Sequence, residues 1–101
     1  MAMFVMLTKL TEEGMETLTK NPERIKQVNE EVSQKFGVKI MSQYALMGPY
    51  DFINLIEAPD NDTIMKMAIE LGSRGTIMPL TMPAIEVDRL IEDLKGLAEA
   101  A

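Results

Sequence analysis

Apolar residues occupy positions 2–7 without a break, and the run closes at Thr8-Lys9. Its length and its mix of β-branched and aromatic side chains predict a first strand over residues 2–8. Thr11 then stands where a helix N-cap belongs, with Glu12 and Glu13 placed well for the positive end of the helix dipole. Asn21-Pro22 interrupts this first short helical stretch. Proline suits the first helical position, so the main helix is predicted over residues 22–36. In it Ile25, Val28, Val32 and Phe36 fall at spacings of three and four and form one apolar stripe. Gly37 is the expected C-cap. Residues 38–47 alternate imperfectly and read as a second strand. Gly48-Pro49 marks a turn, and residues 51–58 read as a third strand ended by Pro59. A connection that short requires an antiparallel hairpin.

Asp60-Asn61-Asp62 supplies capping side chains for a helix carrying Ile64, Met67, Ala68 and Leu71 on one side, stopped by Gly72 or Gly75. Residues 76–87 are the last extended segment. Pro79 and Pro83 lie inside it, which requires an edge strand or a bulge. Val87, Leu90, Ile91, Leu94 and Leu97 then follow helical spacing. A tail helix over roughly 88–98 is predicted, with Ala98 to Ala101 frayed. The whole chain, 1–101, reads as a single domain, with 2–87 as core and 88–101 as C-terminal helix and tail.

The order is β, α, β, β, α, β and a final helix. Right-handed crossovers place the two main helices on one face of an antiparallel four-stranded sheet, an α+β architecture. The other face then meets water, and polar residues belong there. Instead Ala2 to Leu7 is apolar at both parities, as are Phe52-Ile53 and Leu55-Ile56. Both faces of the central strands therefore call for burial. A homodimer or larger homo-oligomer supplies it by setting one open face against another. The alternative is a monomer capped by its own tail helix, which is short for the area.

Composition sharpens this picture by exclusion. The chain contains no cysteine and no histidine. Thiolate chemistry, zinc–thiolate sites, His-ligated haem and Ser-His or Cys-His triads are absent with them. A metal site built only from carboxylates, suited to Mg or Ca, is the one kind left open; no metal ligand is assigned and no cofactor is called for. The formal net charge of −6 opposes nucleic-acid binding, which draws its affinity from neutralised phosphates. No apolar stretch is long enough for a membrane span. The opening residues lack the basic leader of a signal peptide, and a cytoplasmic protein is expected. The ten methionines read first as adaptable core filler, and second as a plastic apolar surface.

Six side chains are candidates for a ligand site. Tyr50 and Asp51 sit at the hairpin, where Asp51 either binds turn amides or serves as an acid or base at a pocket mouth. Asn54 is polar in an apolar strand and, if buried, needs a hydrogen-bonding partner. By strand parity a pocket combines Asn54 with Tyr44 or with Gln43, and the register decides which. Lys9 ends the first strand. Arg24 opposes the dipole in the first turn of its helix, which points to a carboxylate or anion, with Glu23 or Asp51 as a structural partner. Ser73-Arg74-Gly75 is a further possible anion contact. The acidic runs at 12–13, 30–31 and 92–93 read as solvated faces.

The turn Gly48-Pro49-Tyr50-Asp51 resembles the Gly-x-Tyr-Asp signature of the GYD domain family. Phe4 to Thr11 resembles that family's first strand and the start of its helix, and Pro22-Glu23-Arg24 its next helix start. Glu57-Ala58-Pro59-Asp60 resembles its third strand and cap, and Leu80 to Ala84 its final strand. The resemblance spans roughly residues 3–86. It implies a ferredoxin-like chain that pairs sheet to sheet into a dimeric α/β barrel. That superfamily includes cofactor-independent monooxygenases, haem enzymes and ligand-binding regulatory domains, while the family itself has no settled activity. The resulting expectation is a homo-oligomer that binds a small, partly apolar molecule in or beside the intersubunit barrel. Two other readings stand beside it: a cofactor-free oxygenase or isomerase, and a purely structural assembly module.

Overall fold

A computed structural model describes residues 1–100. In chain order the elements are β1 (Ala2–Leu10), α1 (Glu12–Lys20), α2 (Arg24–Phe36), β2 (Lys39–Ala45), β3 (Phe52–Ala58), α3 (Asn61–Ser73), β4 (Ile77–Ala84) and α4 (Val87–Ala100). The four strands form one sheet in the order β2-β3-β1-β4, and every neighbouring pair is antiparallel. This is the expected ferredoxin-like arrangement with one addition. The short stretch before Asn21-Pro22 is a nine-residue helix in its own right.

The local signals act as their chemistry requires. Thr11 Oγ1 accepts the amide of Gly14 at 3.1 Å and donates to the Gly75 carbonyl at 2.7 Å, so the cap also ties α1 to the strand that follows α3. Gly14 packs at that junction. A Cβ there would stand 2.0 Å from the Thr76 carbonyl oxygen, so only glycine lets helix and strand approach so closely. Asp60 caps α3 through the Thr63 amide at 2.8 Å. Pro22 does not open α2; it lies in the turn before it, and Arg24 begins the helix behind Glu23. The imperfect alternation of the second strand has a structural cause, a register shift between Ile40 and Ser42. Pro79 and Pro83 lie in β4, which is an edge strand, the place where a missing backbone donor is tolerated.

Three helices cover one face of the sheet. Phe4 and Met6 of β1 and Ile56 and Ala58 of β3 meet Val32 of α2 and Ile64, Met67 and Leu71 of α3 in a single buried core. The opposite face presents Val5 and Leu7 of β1, Ile53 and Leu55 of β3, and Leu80 and Met82 of β4. Nothing among the described residues packs over them. The tail helix α4 starts one residue earlier and runs further than the spacing predicts. It makes no substantial packing with any other element. Leu90, Ile91 and Leu94 along it are 44, 43 and 52% exposed. The tail helix therefore does not cap the open face. Of the segment expected to fray, Ala101 lies outside the described residues. No helix among them is long and apolar enough to cross a membrane.

Candidate functional site

Between the sheet and the α1–α2 pair lies a cavity of about 130 Å³. Met6, Ile56, Val28 and Met67 give it apolar walls, and Asn29, Gln43, Asn54 and Thr8 bring polar atoms into it. A second lobe of about 150 Å³ adjoins it, sharing Thr17, Arg24, Val28 and Leu71 and adding Arg74.

The polar atoms inside form a relay across three strands and a helix. Register sets Gln43, Asn54 and Met6 side by side on the helix-facing side of the sheet. Asn54 Nδ2 donates to the Met6 carbonyl at 2.8 Å, and Gln43 Nε2 donates to Asn54 Oδ1 at 2.9 Å. Gln43 and Asn29 close a reciprocal amide pair at 2.6 and 3.0 Å. Asn54 is 6% exposed, and this relay is what makes its burial tolerable. Thr8 is 5% exposed and lines the same cavity, and its hydroxyl makes no side-chain hydrogen bond among the described residues.

At the mouth, two guanidinium groups share one carboxylate. Arg24 Nη1 lies 2.8 Å from Glu31 Oε1, and Arg74 Nη1 lies 3.0 Å from Glu31 Oε2. Arg74 also reaches Glu70 at 3.7 Å, and Lys35 binds Glu70 at 2.6 Å. The hydrogen bond from Arg24, then that from Arg74, holds the Glu31 carboxyl below its ordinary range. The partner of Arg24 is thus Glu31, neither Glu23 nor Asp51. The acidic run at 30–31 is exposed as expected, and Glu31 in it also pairs with the two arginines.

The sequence-predicted residues divide between two sides of the molecule. Arg24 and Asn54 both line the helix-side cavity. Tyr44 stands on the opposite face, 66% exposed, because it lies opposite Ile53 while Gln43 lies opposite Asn54. The register therefore selects Gln43 as the companion of Asn54. Lys9 is exposed on the open face opposite Met78. Tyr50 is half-buried in the hairpin loop. Asp51 acts as a stitch: its Oδ2 accepts the Leu10 amide at 2.7 Å, its amide donates to the Thr8 carbonyl at 2.9 Å, and its carbonyl accepts the Leu46 amide at 2.8 Å. Gly48, at φ 139°, lets the loop turn back for these bonds. The Gly-Pro-Tyr-Asp signature thus anchors the β2–β3 loop to the end of β1. Asn29, Thr8 and Glu31 escaped the sequence reading. Only the asparagine carried a signal there, as an amide near the apolar stripe of α2.

An α+β chain of ferredoxin-like topology, with an apolar cavity under its helices and a tethered Gly-Pro-Tyr-Asp hairpin, is the class these features define. The pattern of the GYD domain matches residues 4–94, and the chain belongs to the GYD domain family. It is similar to a Thermus thermophilus protein named "Glutamine synthetase and cystathionine beta-lyase binding protein". The two are 50% identical over 95 residues, which is 94% of this chain and the whole of that relative. No solved structure matches the chain significantly.

Proposed function

We propose that this protein is a homo-oligomeric binding module, at work in the cytoplasm, whose partners are metabolic enzymes such as glutamine synthetase. The observation that carries the reading is the apolar sheet face together with α4, both uncovered within the chain. Strand spacing and rise give that face roughly 500 Å², and the apolar side of α4 adds about 200 Å². Two copies then bury about 1,400 Å², within the range of specific interfaces. Charge supports a second copy as the occupant. Lys9 stands at one end of the face and Glu57 near the other, and neither has an ion pair among the described residues. A twofold axis crossing the strands brings Lys9 of one copy toward Glu57 of the other.

The enzyme partners are supported by the 50% identical Thermus thermophilus relative, which is named for binding glutamine synthetase and cystathionine beta-lyase. With the sheets engaged in self-association, the outward helices are left to meet an enzyme. Native mass spectrometry tests both steps. The protein alone is expected as a dimer or higher oligomer, and mixing with glutamine synthetase from the same cells is expected to add a discrete complex. A monomer at micromolar concentration overturns the first step, and an unchanged glutamine synthetase spectrum overturns the second.

The helix-side cavity favours a second reading, in which the module also holds a small, partly apolar molecule. Its supports are the apolar walls and the unpartnered Thr8 hydroxyl. A catalytic reading has less support, because Asp51, its expected base, has its carboxylate engaged by the Leu10 amide.

A further inference from the structure

The cavity and its mouth differ in chemistry, and the difference specifies a ligand. Inside, the walls are mostly apolar, with a free hydroxyl on Thr8 and the amide of Asn54. Beside it, Arg24 at the start of α2 and Arg74 at the C-cap of α3, both lining the adjoining lobe, converge on one carboxylate, that of Glu31. Glu31 belongs to α2 itself, seven residues beyond Arg24, and its side chain is 45% exposed. Counting Glu70, which pairs with Lys35 at 2.6 Å and lies 3.7 Å from Arg74, the cluster sets three cations against two carboxylates and keeps one positive charge in excess.

We infer that the cavity under α1 and α2 binds a small monocarboxylate with a compact apolar body. In it Arg24 and Arg74 hold the carboxylate in the place Glu31 occupies when the site is free. This rests on the small-molecule reading above. A void of about 130 Å³ accommodates a body on the order of benzene or a branched five-carbon chain. The apolar body lies among Met6, Val28 and Ile56. Guanidinium groups suit the head because they present paired donors to a carboxylate. Glu31 is an internal competitor: it keeps the two arginines paired at the mouth and sets a threshold that only a carboxylate overcomes. A neutral analogue has nothing to exchange for the lost ion pairs.

Methionine methyl groups provide the readout. The full-length protein, labelled with ¹³C at the methionine methyls, is titrated with 4-methylpentanoate and separately with 4-methylpentanamide. Met6 and Met67 line the cavity, whereas Met47 lies exposed in the hairpin loop. The acid is expected to shift Met6 and Met67 saturably, leave Met47 in place, and bind at least about tenfold more tightly than the amide. Arg24→Gln is expected to weaken the acid by a similar factor. Glu31→Gln, which frees both arginines, is expected to strengthen it. A merely structural Glu31 predicts the opposite sign. Met spectra of the two variants without ligand confirm that each is folded. Equal binding of acid and amide overturns the carboxylate assignment while leaving the cavity reading intact. Absence of any shift at Met6 and Met67 up to millimolar acid and amide overturns both, and shifts confined to open-face methionines such as Met82 do the same.

Discussion

The two faces of the sheet are built from alternate residues of the same strands, yet they live in different environments. Phe4, Met6 and Ile56 are fully enclosed by helices, while Val5, Leu7 and Leu55, one position away, are only half-buried. Hydrophobicity does not distinguish the two sets. Cover does. The helix side is covered by α1, α2 and α3, and Asn29, Gln43 and Asn54 on it are joined in one hydrogen-bonded relay. The open side has apolar residues of the same kind without a layer above them. Substitutions on the first face should therefore act on folding, and those on the second on assembly.

The largest effect is expected from Ile56→Ala, which empties the centre of the helix-side core. A loss of about 2–5 kcal/mol in unfolding free energy, read by chemical denaturation, is expected. A loss below 1 kcal/mol would mean that this face is no better packed than the other. Next comes Leu80→Glu, a charge placed on the open face beside Leu7, on the edge strand β4. Self-association should weaken on the order of 100-fold by analytical ultracentrifugation, with the circular dichroism of the fold retained. An undisturbed oligomer would remove the open face from the interface.

Asn54→Ala follows, leaving Gln43 and the Met6 carbonyl short of a partner. It should destabilise by about 1–3 kcal/mol without changing oligomer size. Lys9→Glu should weaken assembly only a few-fold, and adding Glu57→Lys should restore it if the two charges meet across the interface. A double variant weaker than the single one would reverse the proposed orientation of the copies. The smallest effect concerns Asp60. Hydrogen bonds from the Thr63 hydroxyl, then from its amide, hold this carboxyl below its ordinary range. A depressed folded-state value stabilises above the unfolded one, and the contribution fades as pH falls through the carboxylate range. Asp60→Asn keeps a capping side chain and should lose that part of the acid sensitivity, which thermal unfolding across pH checks.

Much of this was legible in the pattern of residues. Thr11, Gly37 and Asp60 mark helix ends because their local chemistry is self-contained, and Pro79 and Pro83 identify an edge because proline lacks a donor. Two-sided apolarity in β1 and β3 could be read directly. The site was less accessible. Whether Asn54 meets Tyr44 or Gln43 depends on a register that a bulge between Ile40 and Ser42 resets, and a one-residue step reverses the face. The bond between Arg24 and Glu31 spans two helical turns, beyond the usual spacing for helix ion pairs, and Arg74 joins from 43 positions along the chain. Gly14 carried no signal of its own in the sequence. Its reason is the Thr76 carbonyl, which comes from the far end of the fold.

The two prolines of β4 have a consequence beyond their own strand. An edge strand tolerates proline where the missing donor faces outward, so the rim of the sheet beyond β4 offers a broken row of hydrogen-bond donors. At the opposite rim, the irregularity in β2 twists that border away from regular pairing. Both borders are thereby poorer templates for a further strand, which disfavours edge-to-edge pairing of copies. In the proposed dimer, pairing about a twofold axis uses up the open face, so that assembly would stop at a finite size.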